Sequence, residues 1–375
     1  IPPEALAEFT EDNTYEPLII PNMIIDGSSV EEAVSILANA VNPVIWAGGG
    51  VHLADASDEL LAVAEYLQIP VLTTPEGKGA ISDRNYLSLG TPQGRSTGES
   101  KDPLRDFLYS CDVILAVGTR FATARAAESQ KVIQIDVDPE EIGRNHDRTT
   151  PIVGDAKLAL DQLLHSLKSV ASPKGSRRDE FESIRNARIH DTAGRVEPQA
   201  SLVDALRQGI PDDGILVTDM TIVAYYARAH FPTYMPRSYI TSSYTGNLGS
   251  AFPTALGVKV ANPQKAVISI SGDGGFLFNS QELATAAQFG INVVAIVFND
   301  GAYGNVKRDM RDLFQDTSLG VELQNPDFMK LAEAYGVEGM RVREAQDLSV
   351  AIETAINLNK PVLIEVPVGV MPNPF

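Results

Sequence analysis

The sequence is poor in cysteine and in basic residues. One cysteine, Cys111, occurs among 375 residues, which excludes a disulfide framework and is typical of a reducing compartment. Lysine and arginine number 30 against 49 aspartate and glutamate residues, so the formal net charge at pH 7 is -19. Because this charge repels polyphosphate surfaces, we expect neither nucleic acid nor an anionic membrane as a partner.

Long apolar runs and metal-binding histidine patterns are also lacking. No apolar stretch approaches the roughly 20 residues that a membrane-spanning helix needs. The five histidines fall in no spacing that is typical of a metal centre. The sequence therefore predicts a cytoplasmic protein, and the histidines are interpreted as surface or capping residues.

What the sequence does have is a repeated alternation of strand-like and helical patterns. Short β-branched apolar runs are each followed by a glycine or proline break and then by apolar residues three and four apart, the pattern of parallel strands with crossover helices. The predicted strands lie in residues 43–50, 69–74, 112–121 and 131–139, and then in 214–219, 266–271, 291–300 and 361–369. We predict an α/β protein of two doubly wound domains, with mainly parallel sheets and helices on both faces.

The apolar periodicity also predicts the domain boundaries. It weakens in the charge-rich residues 169–197, which we interpret as a linker between a domain at 15–168 and a second domain at 198–375. Residues 1–14 open with IPPEAL, which reads like the end of a strand and its exit turn. We therefore treat residues 1–14 as a separate segment.

The stretch SGDGGF places one carboxylate among glycines directly after a predicted strand. Asp273 lies between Gly272 and the pair Gly274 and Gly275, and Asp300 ends the next predicted strand. Ligands bind at the carboxyl ends of parallel strands, so the two aspartates should meet in one crevice. Carboxylate and carbonyl oxygens suit Mg²⁺, which often bridges protein to phosphate groups, and glycines let the backbone approach those groups. A lone GDG is common in turns, so the prediction of a metal and diphosphate site depends on the pair.

The pair also carries a resemblance to a known family. GDG followed at this spacing by ND resembles the thiamine diphosphate motif. The chain is thus similar to thiamine diphosphate dependent 2-oxo acid decarboxylases and carboligases, in particular to acetolactate synthase large subunits. Further segments that look like this family's central and diphosphate-binding domains are PVIWAGGGV, CDVILAVGTRF, TGNLGSAFPTALGVKVANP, NPDFMKLAEAYGVEGMRV and PVLIEVPV.

The resemblance implies roles for individual residues. Asp273, Asp300 and the backbone carbonyl of Ala302 match the metal ligands, and Leu248 matches the bulky apolar residue that bends the cofactor. Relatives often have asparagine at the position of Asp300. The remaining residues expected to contact thiamine diphosphate are Thr221, Gly272, Gly274, Gly275, Tyr303 and Gly304.

The activity implied is thiamine diphosphate and Mg²⁺ dependent decarboxylation of a 2-oxo acid, with carboligation of the resulting enamine. One alternative is a simple decarboxylase that releases an aldehyde. An alternative of another class is a non-catalytic cofactor-binding or assembly module. The resemblance also implies a homo-oligomer, a dimer or a tetramer.

The sequence departs from the family at its start. The family activates its cofactor with a glutamate on an N-terminal pyrimidine-binding domain, which the 375 residues do not contain. Residues 1–14 would be the exit segment of that domain, and we expect the domain to be supplied upstream or in trans. The chain alone is expected to be inactive.

Two further departures concern the substrate pocket and flavin. Asp309 stands where acetolactate synthases typically have the tryptophan that shapes the acceptor pocket, so it is a candidate catalytic-site residue that would favour a cationic substrate, or else a solvated surface charge. The flavin-binding segments 48–50, 118–121, 135–138 and 153–155 are present, but GTRFATA lacks polar contacts of the family's GTRFDDR and the loop TPQGRSTGES lacks its GMHGT pattern. The sequence therefore weighs against FAD without excluding it.

Overall fold

The computed structural model describes residues 2–6, 8, 24–92, 102–122, 124, 126–189, 195–242, 245–314 and 319–373. The strands are β1 Pro43–Ala47, β2 Val71–Thr73, β3 Ser88–Gly90, β4 Val113–Val117, β5 Lys131–Asp136, β6 Thr149–Val153, β7 Ile215–Thr218, β8 Tyr239–Thr241, β9 Val267–Gly272, β10 Val294–Asn299, β11 Glu338–Arg341 and β12 Val362–Pro367.

The α-helices alternate with these strands. They are α1 Pro3–Leu6, α2 Gly27–Ala38, α3 Gly50–Leu53, α4 Ser57–Leu67, α5 Pro103–Ser110, α6 Ala156–Val170, α7 Arg178–Ile189, α8 Gln199–Gly209, α9 Ile222–His230, α10 Ala251–Ala261, α11 Asp273–Leu277, α12 Glu282–Phe289, α13 Gly304–Leu313, α14 Phe328–Ala334 and α15 Ala345–Asn357; a short 3-10 helix spans Pro75–Gly77.

The described strands form two six-stranded sheets, and every strand pair in them is parallel. The strand order is β3-β2-β1-β4-β5-β6 in the first sheet and β11-β12-β10-β9-β7-β8 in the second. In the first sheet the chain moves outward from β1 through β2 to β3 and then crosses back to β4, and in the second it moves from β7 to β8 and then crosses back to β9. The switch points of this doubly wound topology therefore lie between β1 and β4 and between β7 and β9. The predicted fold class is confirmed.

Buried apolar side chains on both faces of each sheet explain why the strands read as continuous hydrophobic runs. β1 and β4 are buried along their whole length, and so are the first five residues of β9, β10 and β12. Strands that are covered by helices on both faces need no polar alternation. Helix starts also follow the sequence: Asp155 caps α6 by accepting hydrogen bonds from the backbone N–H groups of Lys157 at 2.9 Å and Leu158 at 3.1 Å.

The segment between the two sheets contains a packed helix. In α7 the ring of Phe181 is fully buried in the first core, and Arg185 and Arg188 donate hydrogen bonds to backbone carbonyls of the first domain. Directly between the domains, the Asp83 carboxylate accepts a 2.8 Å hydrogen bond from the N–H of Thr233, and the Asp83 N–H donates to the Thr233 carbonyl. The domain boundaries drawn from the sequence stay a prediction.

Among the described residues, no helix combines the length and the apolar composition that crossing a membrane requires.

Candidate functional site

A cavity lies at the switch point of the second sheet. Its volume is about 210 Å³, and its walls come from the segments that follow β7, β9 and β10 together with the loop before α10. The walls include the predicted residues Thr221, Leu248, Gly272, Asp273, Gly274, Gly275, Asp300, Ala302, Tyr303 and Gly304. Ten of the predicted positions, spread over more than 80 residues of sequence, thus come together in one crevice.

Asp273 is held rigidly at the base of this cavity. Its side chain is only 1% exposed. One carboxylate oxygen accepts a 2.9 Å hydrogen bond from the N–H of Gly274, and the other accepts a 2.8 Å hydrogen bond from the N–H of Gly301. The loop after β10 is therefore tied to the loop after β9 through this one carboxylate.

Asp300 lines the same cavity. Its carboxylate accepts a 3.2 Å hydrogen bond from the N–H of Ala302. Burial, together with the nearby Asp273 carboxylate, raises the pKa of Asp300 to about 6. A divalent cation would relieve this repulsion, and Ala302, whose backbone carbonyl is the third predicted ligand, lines the same cavity.

Two glycines at the site are needed for close packing. A methyl group on Gly274 would lie 2.5 Å from the Tyr303 ring, and one on Gly304 would overlap the Asp300 carboxylate. Both backbone segments therefore approach neighbouring side chains too closely for any larger residue. The donor set and the glycine-lined walls fit a metal-bound diphosphate.

The cavity also has apolar lining residues. Leu248 is 40% exposed and lines it together with Ile222, Phe298, Val306 and Met371. Thr221 immediately precedes α9, at its N-cap position. The site thus combines acidic side chains with apolar side chains that suit a ring.

Asp309 lies on α13 and is not among the described residues that line the cavity. Its carboxylate accepts a 3.1 Å hydrogen bond from the guanidinium of Arg308, which is largely buried. Arg308 also donates a hydrogen bond to Asn305, a wall residue, at 2.6 Å. Asp309 is thus connected to the cavity through its neighbour, and its predicted role stays a prediction.

Sequence reasoning missed two polar residues at the site. Asn325 donates a 2.5 Å hydrogen bond to the Asp273 carboxylate, and Asp219 lies buried at the end of β7. Asn325 opens the segment NPDFMKLAEAYGVEGMRV, which resembles the family, and Asp219 lies two residues before the predicted contact residue Thr221. The signal in the sequence that could have identified both residues is a short polar side chain next to a strand end or a helix start.

The first sheet has its own glycine-lined switch point. The N–H of Gly50 donates a 2.9 Å hydrogen bond to the Gly118 carbonyl, and a methyl group on Gly50 would lie 2.5 Å from the Gly118 Cα atom. These glycines are thus explained by the close packing of two loops. The loop 91–100, whose sequence lacks the family's flavin-binding pattern, lies mostly outside the described residues.

Other candidate sites are weak. A shallow depression of about 370 Å³ beside β11 is lined by Met329, Glu333 and Lys360, but it lies at the amino ends of the strands, opposite the cavity. Within the described part of the chain, no group of three or more histidine, cysteine, aspartate or glutamate side chains could hold a metal ion. A metal at the cavity would accordingly rely on two carboxylates and a backbone carbonyl.

Comparison with known proteins adds two family matches. The model described as thiamine pyrophosphate enzyme, central domain, matches residues 30–163. The model described as thiamine pyrophosphate enzyme, C-terminal TPP binding domain, matches residues 219–366 and so includes the cavity.

Individual relatives carry a consistent name. A probable acetolactate synthase large subunit of Methanocaldococcus jannaschii is 35% identical over 353 residues, which cover 90% of this chain and 59% of that protein. A probable acetolactate synthase large subunit of Methanococcus aeolicus is 34% identical, with 92% and 61% covered, and the acetolactate synthase large subunit of Haemophilus influenzae is 31% identical, with 97% and 65% covered. The chain therefore spans roughly three fifths of the length of these curated relatives.

Proposed function

The chain belongs to the thiamine pyrophosphate enzymes, and we propose that it supplies the diphosphate- and metal-binding part of an enzyme that decarboxylates a 2-oxo acid and ligates the product to a second carbonyl compound. The observation that carries this proposal is the meeting of Asp273 and Asp300 at one cavity. A purely structural module would have no use for a buried carboxylate beside a second, half-buried one that repels it.

The acidic and glycine residues that line the cavity would hold the metal and the diphosphate. Asp273, Asp300 and the Ala302 carbonyl are the proposed Mg²⁺ ligands. Helices α9 and α13 begin at the cavity, and backbone N–H groups at helix starts attract phosphate oxygens. These local features offset the repulsion that a chain of net charge -19 exerts on an anion.

The apolar residues that line the cavity would orient the rings of the cofactor. When bound, the cofactor supplies the carbanion chemistry that makes a 2-oxo acid lose CO₂. Leu248 would pack against the cofactor, because its side chain lines the cavity and is exposed rather than enclosed in the core. The chain's own residues thus bind, orient and exclude water on one side of the cavity.

We further propose that turnover requires a pyrimidine-binding domain with an activating glutamate, supplied upstream or in trans, within a dimer or a tetramer. The 375 residues by themselves would bind the cofactor without turning over. Product analysis of the assembled enzyme, a 2-hydroxy-ketone as opposed to an aldehyde, separates carboligation from simple decarboxylation.

Thermal unfolding tests the binding step. Thiamine diphosphate with Mg²⁺ should raise the Tm of the chain, because a ligand that binds only the folded state stabilises it. The shift should vanish with EDTA and in Asp273→Ala, and it should persist in the control Asp161→Ala, whose side chain is exposed on α6. A wild-type chain whose Tm does not respond to cofactor and metal would sink the proposal.

A further inference from the structure

Asp219 is a buried carboxylate to which the proposed function assigns no role. It directly follows β7, beside the cavity, and is only 1% exposed. The neighbouring residues Met220 and Thr221 both line the cavity. A charged group in such a place needs hydrogen-bond partners that offset the cost of burial.

Those partners belong to the loops that form the cavity. The N–H of Gly249 donates to both Asp219 oxygens, at 3.1 and 2.9 Å, and the N–H of Met220 donates at 2.8 Å. A methyl group placed on Gly275 would lie 3.1 Å from the same carboxylate. One side chain therefore lies beneath the loop after β7, the loop before α10 and the glycines after β9.

Gly249 is also held from its other side. Its carbonyl accepts a 2.7 Å hydrogen bond from the Asn279 side chain. Its φ of +79° belongs to the left-handed region, and a methyl group there would lie 2.7 Å from the Cβ atom of Phe278. Both polar backbone groups of the residue after Leu248 are thus fixed by side chains.

Leu248 itself is an exposed residue of this loop. Its side chain is 40% exposed, so core packing alone does not determine where it lies. Gly249, which follows Leu248 in the chain, is hydrogen-bonded to Asp219 and Asn279, and the carbonyl of Asn247, which precedes it, accepts a 3.2 Å hydrogen bond from the Ser250 hydroxyl. The position of Leu248 against the cavity therefore depends in part on Asp219 and Asn279.

Burial raises the pKa of Asp219, while the N–H donors around it favour the ionised form. An ionised carboxylate can accept hydrogen bonds through both oxygens, whereas the isosteric amide of asparagine accepts through one atom only. In Asp219→Asn, one side-chain atom facing the Gly249 N–H would be a second donor. The substitution thus replaces one of the two acceptors of the Gly249 N–H with a donor, and it weakens this Asp219–Gly249 clamp with almost no change in volume.

We propose that Asp219 is a positioning residue that holds Leu248 in register with the diphosphate-binding loops, an inference that rests on the proposed function for the role of Leu248. Asp219 does not touch the cofactor in this scheme. It acts through the Gly249 backbone.

Hydrogen–deuterium exchange of the cofactor-free chain tests the clamp directly. In Asp219→Asn, peptides that contain Gly249 should exchange about tenfold faster than in the wild-type chain, while peptides from α6 in the first domain stay unchanged. Unchanged exchange at Gly249 would overturn the proposal. Asn279→Ala, which releases the other side of Gly249, provides a second variant if Asp219→Asn does not fold.

A double-mutant cycle on cofactor affinity separates a positioning role from a merely structural one. With Mg²⁺ present, Asp219→Asn should weaken thiamine diphosphate binding about tenfold in the wild-type background and less than twofold in Leu248→Ala. A full effect in both backgrounds would refute action through Leu248. Asp213→Asn, at an exposed position near β7, should leave affinity unchanged. If the wild-type chain binds no cofactor, the proposed function fails, whereas the exchange experiment still decides on the clamp.

Discussion

The side-chain amide of Asn325 donates a 2.5 Å hydrogen bond to the carboxylate of Asp273, 52 positions earlier in the chain. The same amide donates to Asn299 at 2.8 Å, and Asn299 in turn donates to the buried carboxylate of Glu365 at 2.8 Å. Arg341 completes this connection by donating to Glu365 at 2.7 Å. A proposed metal ligand is thus linked through polar side chains to β12 and β11.

Asn325→Ala should weaken the binding of Mg²⁺ and thiamine diphosphate about tenfold, because it removes a hydrogen bond to a charged, buried group worth roughly 1.5–3 kcal/mol. Calorimetric titration with cofactor at saturating Mg²⁺ measures the change. Asn39→Ala, which removes an exposed hydrogen bond at the end of α2, should leave affinity unchanged.

Asn325→Asp provides the complementary test of this contact. A carboxylate there would repel Asp273 where the amide donates to it, so cofactor affinity should fall further than in Asn325→Ala. Equal cofactor affinities of the wild-type chain and Asn325→Ala would show that the hydrogen bond from Asn325 does not position the Asp273 carboxylate for metal binding.

Gly249→Ala should destabilise the fold by about 1–3 kcal/mol, since its left-handed φ of +79° is unfavourable for alanine. A methyl group there would also meet Gly275 and Phe278. Gly257→Ala is the matched control: Gly257 is exposed within α10 with open space around it, so alanine should stabilise by about 0.5–1 kcal/mol. Urea unfolding measures the change in the free energy of unfolding of each variant relative to the wild-type chain. A change of the same sign in both variants would contradict this prediction.

His230 should make the fold sensitive to acid. Burial and the nearby cations Arg188, Lys78 and Arg195 lower the pKa of His230 to about 3, and its ring stacks on Tyr226 at 4.1 Å. Below the ordinary pKa of 6.5, the unfolded chain binds a proton that the folded chain does not, so stability falls as the pH drops through this range. The loss from His230 is roughly 1.4 kcal/mol per pH unit between pH 6 and 4.

Denaturant unfolding from pH 7 to 4 measures this contribution as a difference between variants. His230→Gln should lose less stability over this range than the wild-type chain, whereas His165→Gln, at an exposed position on α6, should follow the wild-type slope. If the free energy of unfolding falls with pH in parallel for His230→Gln and the wild-type chain, His230 is protonated in the folded state over this range.

Asp309→Asn should change the preference among 2-oxo acids without changing cofactor affinity, because Asp309 is connected to the cavity only through Arg308 and Asn305. The measurement is kcat/KM for a panel of 2-oxo acids with the assembled enzyme. Asp312→Asn, which alters an exposed pair with Arg311 at 2.8 Å, is the control. An unchanged ranking would leave Asp309 as a surface charge.

The sequence by itself determined the fold class and most of the cavity. Strand runs and crossover helices follow from local periodicity, and the GDG and ND turns mark strand ends whose meeting is dictated by a parallel sheet. Short or partly exposed elements such as β3, β6, β8 and β11 escaped prediction. Their residues carry little hydrophobic signal of their own, and pairing with neighbouring strands stabilises them.

Only the tertiary structure decided which polar side chains support the cavity. Asn325 reaches Asp273, and Asp219 reaches Gly249 across 30 positions, because loops from different strand ends converge at the switch point. Nothing in a local pattern distinguishes these residues from the caps and turn residues that they resemble. Their roles depend on hydrogen-bond geometry, which exists only once the strands have taken their order in the sheet.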